Sequence, residues 1–372
     1  MATKFLEPGG DATFNIAITT AGGFWGTISG SPTVATDFVH GNHLKSIQYA
    51  VNALNYTGTP SSTVSDTGSR VSFYIYLNAL PSANATVLIL RSAANAIKIK
   101  ITSAGVVKLF ETVNEIGTDG PTLSTGVWYR ISLAYTITST TVNRFEVFVD
   151  GVSAISVTNA TITNTGTSLI RFGNLDGNLT LDFRSSDYYV DDSSTLTDPG
   201  NIWVTAKRPN ANGTAVEFTT QIGAGGSGYG TGHSPQVNER ALSVTNGWSI
   251  STTTKKTEQY SIESASTGDI NLTGATIIDY MGWIYAAVDS IADSPVHNII
   301  VGGTATAKTM ATVNTMFTQV KGSSTYPAGS TDIGMDAQYT TTPHLTSLFE
   351  CGIIVAYIPG ASASSGNFLT FM

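Results

Sequence analysis

The chain has 372 residues, of which 12% are charged and 41% are hydrophobic, and its formal net charge is −8 at pH 7. The length predicts more than one domain. Thr, Ser, Asn and Gly replace the missing charge, which favours strands and turns over solvated helices. The largest basic cluster, Lys255-Lys256, is too small to make nucleic acid a primary partner, and no window approaches the ~20 apolar residues that would predict membrane insertion.

The N-terminal residues lack the apolar core of a signal peptide, so we expect synthesis in the cytoplasm. Cys351 is the single cysteine, which excludes an intrachain disulfide. It lies in an apolar run and is predicted to be a small core residue.

Two histidines, His40 and His43, lie three residues apart before a short predicted strand at 45–51. A metal site would need a third ligand and a helical or tight-turn geometry. The neighbouring sequence supplies no such ligand. We therefore predict no metal at this pair.

The strongest strand signals follow. In Arg70–Leu80, Val71, Phe73, Ile75 and Leu77 alternate with other residues. Gly126–Gly151 contains two alternating segments joined by a short polar stretch. Such period-two alternation of aromatic and β-branched residues predicts an antiparallel hairpin with one buried face. Turn signals recur about every ten residues, which favours an antiparallel sandwich over βαβ units.

Three segments carry a family resemblance, VWYRISLAYT, NRFEVFVDG and YYVDDSS, which contain Trp128–Tyr135, Phe145–Gly151 and Tyr188–Asp192. In this order they resemble a laminin-G-like, concanavalin A-like lectin domain, over roughly residues 40–195. The resemblance implies a jelly-roll sandwich, a fold that hosts lectins, hydrolases and adhesion modules alike.

Asp198-Pro199-Gly200 interrupts the strand pattern and predicts a division of the chain into residues 1–198 and 199–372. The second part is predicted to be another β-sandwich-like domain. Arg208–Thr219, Val237–Glu239 and the final Tyr357-Ile358-Pro359 resemble C-terminal β-domains of structural proteins of tailed phages. This resemblance implies a virion-attachment or interaction domain.

Catalytic motifs are absent from the sequence. A glycan hydrolase of this fold usually carries a Glu-x-Asp-x-x-Glu strand, and no such motif occurs, since Glu111 and Glu115 are four residues apart. Asp191 and Asp192 are adjacent, so at most one of them faces a given side of a sheet. No Ser-His-Asp or Cys-His grouping is present either. We therefore predict no catalytic residue and no enzyme.

Calcium is the one cofactor that the resemblance implies, because related lectin-like domains bind it through loop oxygens. Asp150, Asp176 and Asp182 lie in or beside predicted turns and could supply them. The alternative is that these carboxylates cap turns by bonding the local backbone. Otherwise we expect no metal and no other cofactor.

The resemblances together imply a structural protein exposed on a tailed phage particle, most simply a tail-associated tip or fibre-type adhesion module. Its location would be the virion. Its partners would be copies of itself, other virion proteins and a host surface glycan. A head decoration protein of the same particle is one alternative. Another class of function, a carbohydrate-binding lectin or glycan hydrolase, also stays open.

Overall fold

The computed structural model describes the part of the chain that comprises residues 3–7, 25–30, 32–41, 43, 45–49, 54–59, 67–91, 96–139, 143–160, 169–176, 180–222, 233, 246–268, 270–292, 296–326 and 333–360. These residues form strands, turns and bends without any helix, so the all-β prediction is confirmed. The same residues accordingly offer no helix with the length and hydropathy needed to cross a membrane.

The described chain divides into two compact units between Val204 and Thr205. The residues up to Val204 are called unit 1 here, and the residues from Thr205 onward are called unit 2. Both units consist of antiparallel sheets.

Unit 1 contains an eight-stranded and a seven-stranded sheet. The eight-stranded sheet has the order β13-β12-β11-β6-β15-β4-β3, with β1 paired to β15. Its strands are β1 (Thr3–Glu7), β3 (Thr33–Ala35), β4 (Ser46–Tyr49), β6 (Gly68–Ala79), β11 (Trp128–Ile137), β12 (Asn143–Val149), β13 (Val152–Ala160) and β15 (Asp182–Asp191).

The seven-stranded sheet has the order β10-β9-β8-β7-β14-β5-β2. Its strands are β2 (Thr27–Ser29), β5 (Asn55–Gly58), β7 (Ala85–Arg91), β8 (Ala96–Ile101), β9 (Val107–Glu111), β10 (Asn114–Glu115) and β14 (Leu169–Asn174). The two sheets and their order give the antiparallel sandwich that the alternation predicts.

The predicted hairpin is confirmed, since β11 and β12 pair with Ile131 opposite Val149 and Ile137 opposite Asn143. β11 also pairs with β6 along its other edge. The inward-facing aromatic residues of both sheets meet in one core, where Phe172 of β14 packs edge-on against Phe73 of β6 at 5.2 Å between ring centroids. Burial of these large rings stabilises the sandwich.

Unit 2 contains a six-stranded sheet of order β18-β19-β26-β21-β24, with β16 paired to β26, and a five-stranded sheet of order β17-β20-β25-β22-β23. The strands of the first are β16 (Trp203–Lys207), β18 (Thr220–Ile222), β19 (Gly247–Ser251), β21 (Thr276–Val288), β24 (Thr315–Val320) and β26 (Leu345–Ile358). Those of the second are β17 (Pro209–Val216), β20 (Lys256–Ile262), β22 (Val296–Val301), β23 (Thr304–Lys308) and β25 (Ile333–Gln338).

The two sheets of unit 2 approach each other closely at Gly282 in β21. A Cβ atom on this glycine would lie 2.3 Å from Cγ2 of Val301 in β22 and 3.0 Å from Cδ1 of Ile333 in β25. Only glycine fits such a contact without displacing its neighbours. The long apolar run around it forms a central strand between β26 and β24. Cys351 of β26 is buried, as predicted.

Candidate functional site: the outer face of the eight-stranded sheet

The outer face of the eight-stranded sheet carries polar and aromatic side chains. The alternation that sends apolar residues inward sends their neighbours outward. Strand pairing aligns these outward residues in rows across β11, β6 and β15. Two successive rows are Trp128–Tyr76–Arg184 and Arg130–Tyr74–Ser186.

The chain after β15 passes over this outer face at residues 192–204 and buries part of it. Arg130 forms two hydrogen bonds to the carboxylate of Asp198, at 2.6 and 2.8 Å. The hydroxyl of Tyr74 donates to Oδ1 of Asn201. Buried polar groups on this face are therefore paired, as a stable interior requires.

A cluster of two histidines and one carboxylate lies in this covered region. Nδ1 of His40 is 2.7 Å from Oδ2 of Asp187, and Nε2 of His43 is 2.8 Å from Oδ1. The backbone N–H of Val204 donates to the same Oδ1 at 2.6 Å. We call His40, His43 and Asp187 the buried histidine cluster; their exposed fractions are 7%, 3% and 0%.

The electrostatics of the cluster keep Asp187 ionised. Burial alone would raise the pKa of this carboxyl group, but the charge of His43 and the hydrogen bonds from His40 and His43 outweigh burial. The pKa of Asp187 is consequently held well below its usual range. Asp187 also has a φ of 55°, which few residues other than glycine adopt.

The loop that carries His40 depends on a glycine. Gly41 has a φ of 55°, and a Cβ atom there would lie 2.3 Å from Cζ3 of Trp203. The indole of Trp203 therefore packs directly on the loop backbone. Its ring centroid lies 4.7 Å from that of His40, so the glycine lets Trp203 reach the histidine.

Four half-buried aromatic residues, Phe38, Tyr76, Trp128 and Trp203, surround this region, and we call them the aromatic platform. Phe38 stacks on Tyr76 with centroids 4.6 Å apart, and Tyr76 lies 5.5 Å from Trp128. The ring of His40 connects Trp128, at 5.3 Å, to Trp203. The rings form one continuous cluster of half-buried aromatic side chains.

A polar rim borders the platform beside Phe38. Arg184 binds Asp37 through Nε and Nη2 at 3.2 and 2.8 Å, and it binds Asp182 through Nη1 at 2.7 Å. Hydrogen bonding to Arg184 lowers the pKa of Asp37 below its usual value. Asn78 donates to Asp182 at 2.7 Å. Asp37 and Asn78 are exposed, so this rim presents hydrogen-bonding groups to a ligand.

The three calcium candidates each have different neighbours. Oδ1 of Asp150 accepts from the backbone N–H of Arg130 at 2.7 Å, and Oδ2 of Asp176 accepts from that of Thr86 at 2.6 Å. Asp182 belongs to the polar rim. Within the described ranges these three carboxylates do not form one cluster of metal-ligand atoms. Asp150 and Asp176 thus bond backbone groups 20 and 90 residues away in the sequence, which is neither a shared calcium site nor the local turn capping of the alternative interpretation.

The remaining acidic candidates lie in two places, on the paired strands β9 and β10 and at the end of β15. Glu111 ends β9 and Glu115 lies in β10, where its carboxylate is 3.0 Å from Nζ of Lys108. Asp191 is fully buried, whereas Asp192 is partly exposed.

The residue that sequence reasoning missed is Asp187, because it lies 144 residues beyond His43. A signal of it exists in the strand pattern. Phe183 and Ser185 lie at odd-numbered positions of the alternating pattern, whereas Tyr188 and Val190 lie at even-numbered positions. The register shifts between Ser186 and Tyr189, and this β-bulge turns the carboxylate toward the histidines.

Comparisons with known proteins give structural neighbours only; no family model and no curated protein matches the chain. A glucuronan lyase from the fungus Trichoderma reesei is 14% identical over 48% of this chain and 97% of its own, with a TM-score of 0.37. An alginate lyase from Aplysia kurodai is 7% identical over 52% and 100%, also with a TM-score of 0.37. A Trypanosoma rangeli sialidase is 10% identical over 45% and 28%, with a TM-score of 0.34.

Two expectations from the sequence are corrected by these comparisons. The expectation of a structural protein on a tailed phage particle is wrong, since the similar solved structures are lyases, sialidases and an arabinanase domain. The expectation that the chain is not an enzyme is contradicted by the same structures. That expectation rested on motifs readable along the sequence, namely a hydrolase acid pair on one strand and Ser-His-Asp or Cys-His groupings. Groups that the fold assembles from distant segments lie beyond such a search.

Proposed function

We propose that unit 1 binds a glycan across the aromatic platform. The observation that carries this proposal is the continuous cluster formed by Phe38, Tyr76 and Trp128 beside an exposed polar rim. Half-buried aromatic rings with a few convergent polar groups are the usual lining of small-molecule and oligosaccharide sites. Such rings offer an apolar face to the C–H groups of a sugar at little entropic cost.

The spacing of the rings suits an extended chain of sugars. Trp128 and Tyr76 are directly opposite each other on neighbouring strands, which lie about 4.8 Å apart. Phe38 stacks on Tyr76, so these two rings form one stacked pair beside Trp128. The stacked pair and Trp128 give two neighbouring contacts, which support binding along a polymer rather than capture of a single sugar.

The charges at the rim favour a neutral glycan. The single arginine of the rim, Arg184, is already engaged by two carboxylates, and Asp37 remains exposed. The chain as a whole has a net charge of −8. This negative charge would repel a polymer of uronic acids, which is also negatively charged. The hydroxyl groups of a neutral sugar instead donate hydrogen bonds to carboxylates.

The experiment measures binding of the full chain to soluble neutral and uronate-containing polysaccharides by affinity electrophoresis and calorimetry. We expect binding to a neutral polymer and about tenfold weaker binding for Trp128→Ala, because a lost stacking contact is worth about 1.4 kcal/mol. Tyr56→Ala is the matched control, since Tyr56 is a half-buried aromatic residue of the seven-stranded sheet. Equal loss in both variants, or no binding to any polymer, would contradict the proposal.

A second candidate function is cleavage of the bound glycan. The observation that favours it is that Tyr74 stacks on His40 beneath the platform, with ring centroids 3.7 Å apart. Both side chains can transfer protons, although burial raises the pKa of Tyr74. Release of new chain ends would reveal cleavage. Tyr74→Phe keeps the stacked ring and should abolish release while preserving binding; unchanged release would exclude a role for the phenol.

A further inference from the structure

We propose that His40, His43 and Asp187 form a binding site for a divalent transition metal ion, with zinc as the best match. Their ligand atoms all lie within 4.8 Å of one another. Two imidazoles and one carboxylate are a donor set that zinc and related ions use, with a water or substrate oxygen as a further ligand. This inference does not depend on glycan binding.

The distances allow a metal to enter with small movements. Zinc binds histidine nitrogen and carboxylate oxygen at about 2.0–2.2 Å in tetrahedral sites, so its ligand atoms are separated by roughly 3.4 Å. Here His40 and His43 lie 2.7 and 2.8 Å from different oxygens of Asp187, and the ligand atoms of the three residues all lie within 4.8 Å of one another. On this zinc geometry, the short pairs would open by about 0.6 Å and the longest pair would close by up to about 1.4 Å to place a metal between the imidazoles and one carboxylate oxygen.

The surroundings fix the orientation of the ligands. The backbone N–H of Val204 holds one oxygen of Asp187 at 2.6 Å. Tyr74 and Trp203 pack on the ring of His40, at 3.7 and 4.7 Å between centroids. Such outer contacts determine ring orientation and carboxylate position in metal sites. The ligands are thus held in place before any ion binds.

The competing arrangement is a metal-free triad in which both imidazoles donate hydrogen bonds to Asp187. It uses the same contacts, and it differs in whether each contacting nitrogen carries a proton. A metal requires a lone pair at Nδ1 of His40 and at Nε2 of His43, whereas the triad requires a proton at both atoms. Metal binding therefore distinguishes the two arrangements directly.

Three protein ligands leave a position open on a tetrahedral zinc ion. His40 is the least buried of the three and contacts Trp128 and Trp203 of the aromatic platform. We infer that the open position adjoins the platform. A water molecule, or a hydroxyl group of a ligand on the platform, would complete the coordination.

The test uses the untagged full chain, stripped of metals by a chelator and then titrated with zinc or cobalt(II). We expect one equivalent bound per chain by elemental analysis after gel filtration, a rise in the unfolding temperature of unit 1, and the visible absorption of tetrahedral cobalt. His40→Gln should lower the affinity at least tenfold, as the loss of one of three ligands requires. Asp187→Asn should do the same.

His233→Gln is the matched control, because His233 also bonds a buried carboxylate, that of Glu258, at 2.6 Å, yet no second histidine joins that pair. This variant should bind the metal as the unchanged chain does. Less than a tenth of an equivalent of metal in the unchanged chain, or equal loss in His40→Gln and His233→Gln, would overturn the proposal.

Spectroscopy keeps the proposal testable if the ligand variants do not fold. The cobalt form of the unchanged chain should show two paramagnetically shifted, exchangeable imidazole N–H resonances, one from each histidine. Bound cobalt without these two resonances would place the metal elsewhere and refute the site.

Discussion

The buried histidines of the two units have different hydrogen-bond partners. In unit 1, His40 and His43 share the carboxylate of Asp187. In unit 2, His297 of β22 is 2% exposed, and its Nε2 lies 2.8 Å from a hydroxyl oxygen, Oγ1 of Thr346. Among the described residues its Nδ1 atom has no hydrogen-bond partner, and burial lowers the pKa of this histidine to about 4.

The difference shows what a buried carboxylate adds. Burial by itself disfavours the charged imidazole, so His297 stays neutral and its ring serves as packing against Tyr339, at 5.5 Å between centroids. Two imidazoles around an ionised Asp187 form a polar centre that can hold a positive charge or an ion. Of the two arrangements, that of unit 1 brings three potential metal ligands together within the described residues.

The largest effect should come from breaking the unit 1 centre. Asp187→Asn preserves volume and tolerates the positive φ, but it removes the charge and one acceptor oxygen. We expect unit 1 to lose about 3 kcal/mol of unfolding free energy, since a buried charge network loses its central partner. Urea unfolding in a chelating buffer, followed by tryptophan fluorescence, measures the loss.

Asp37→Asn provides the control for that experiment. Asp37 also pairs with a basic side chain of unit 1, but it is exposed, and exposed pairs contribute less than about 1 kcal/mol. Equal and small losses in both variants would mean that the buried histidine cluster contributes no more than a surface ion pair.

A pH-dependent effect should follow from the neutral histidine of unit 2. The pKa of His297 is about 4 in the folded chain and about 6.5 when unfolded. Between these values the unfolded state binds more protons, so the stability of unit 2 falls as the pH is lowered from about 6.5 to about 4. The loss should reach up to about 3 kcal/mol.

His297→Gln should flatten this dependence, as measured by urea unfolding at a series of pH values. His344→Gln is the control, because His344 is more exposed and also packs on Tyr339, at 5.1 Å. The control should keep the slope. A slope unchanged in His297→Gln would show that other groups cause the loss of stability in acid.

The strands were predictable from sequence because strand formation is a local property. The alternation in β6 and in the β11–β12 hairpin indicates which side chains face the core, and these are buried as expected. The expectation of a single buried face is wrong for β6 and β11, because most of the opposite face is buried too, including Arg130 and Ser132. A period of two needs only a few residues to be visible. The all-β class and the sandwich follow from such segments.

The candidate site was not predictable in the same way, because it joins residues far apart in the chain. Phe38, Tyr76, Trp128 and Trp203 each resemble an ordinary outer-face aromatic residue, and only the order of the strands makes them neighbours. The contact between His40 and Asp187 spans 147 residues. Sheet order depends on long-range pairing, which a single sequence does not reveal.

The smallest expected effect concerns the hydrogen bond between His297 and Thr346. Thr346 of β26 is fully buried, and Thr346→Val replaces its hydroxyl with a methyl group of similar size. We expect unit 2 to lose about 1 kcal/mol, the usual net value of a neutral hydrogen bond. Thr346→Ser keeps the hydroxyl and is the control for the imidazole contact.

Urea unfolding at pH 7.5, where His297 is neutral in both states, isolates the hydrogen bond from the protonation effect. If Thr346→Val proves as stable as the unchanged chain while Thr346→Ser is destabilised, packing of the threonine methyl group outweighs the hydrogen bond, and His297 is held by its apolar surroundings alone.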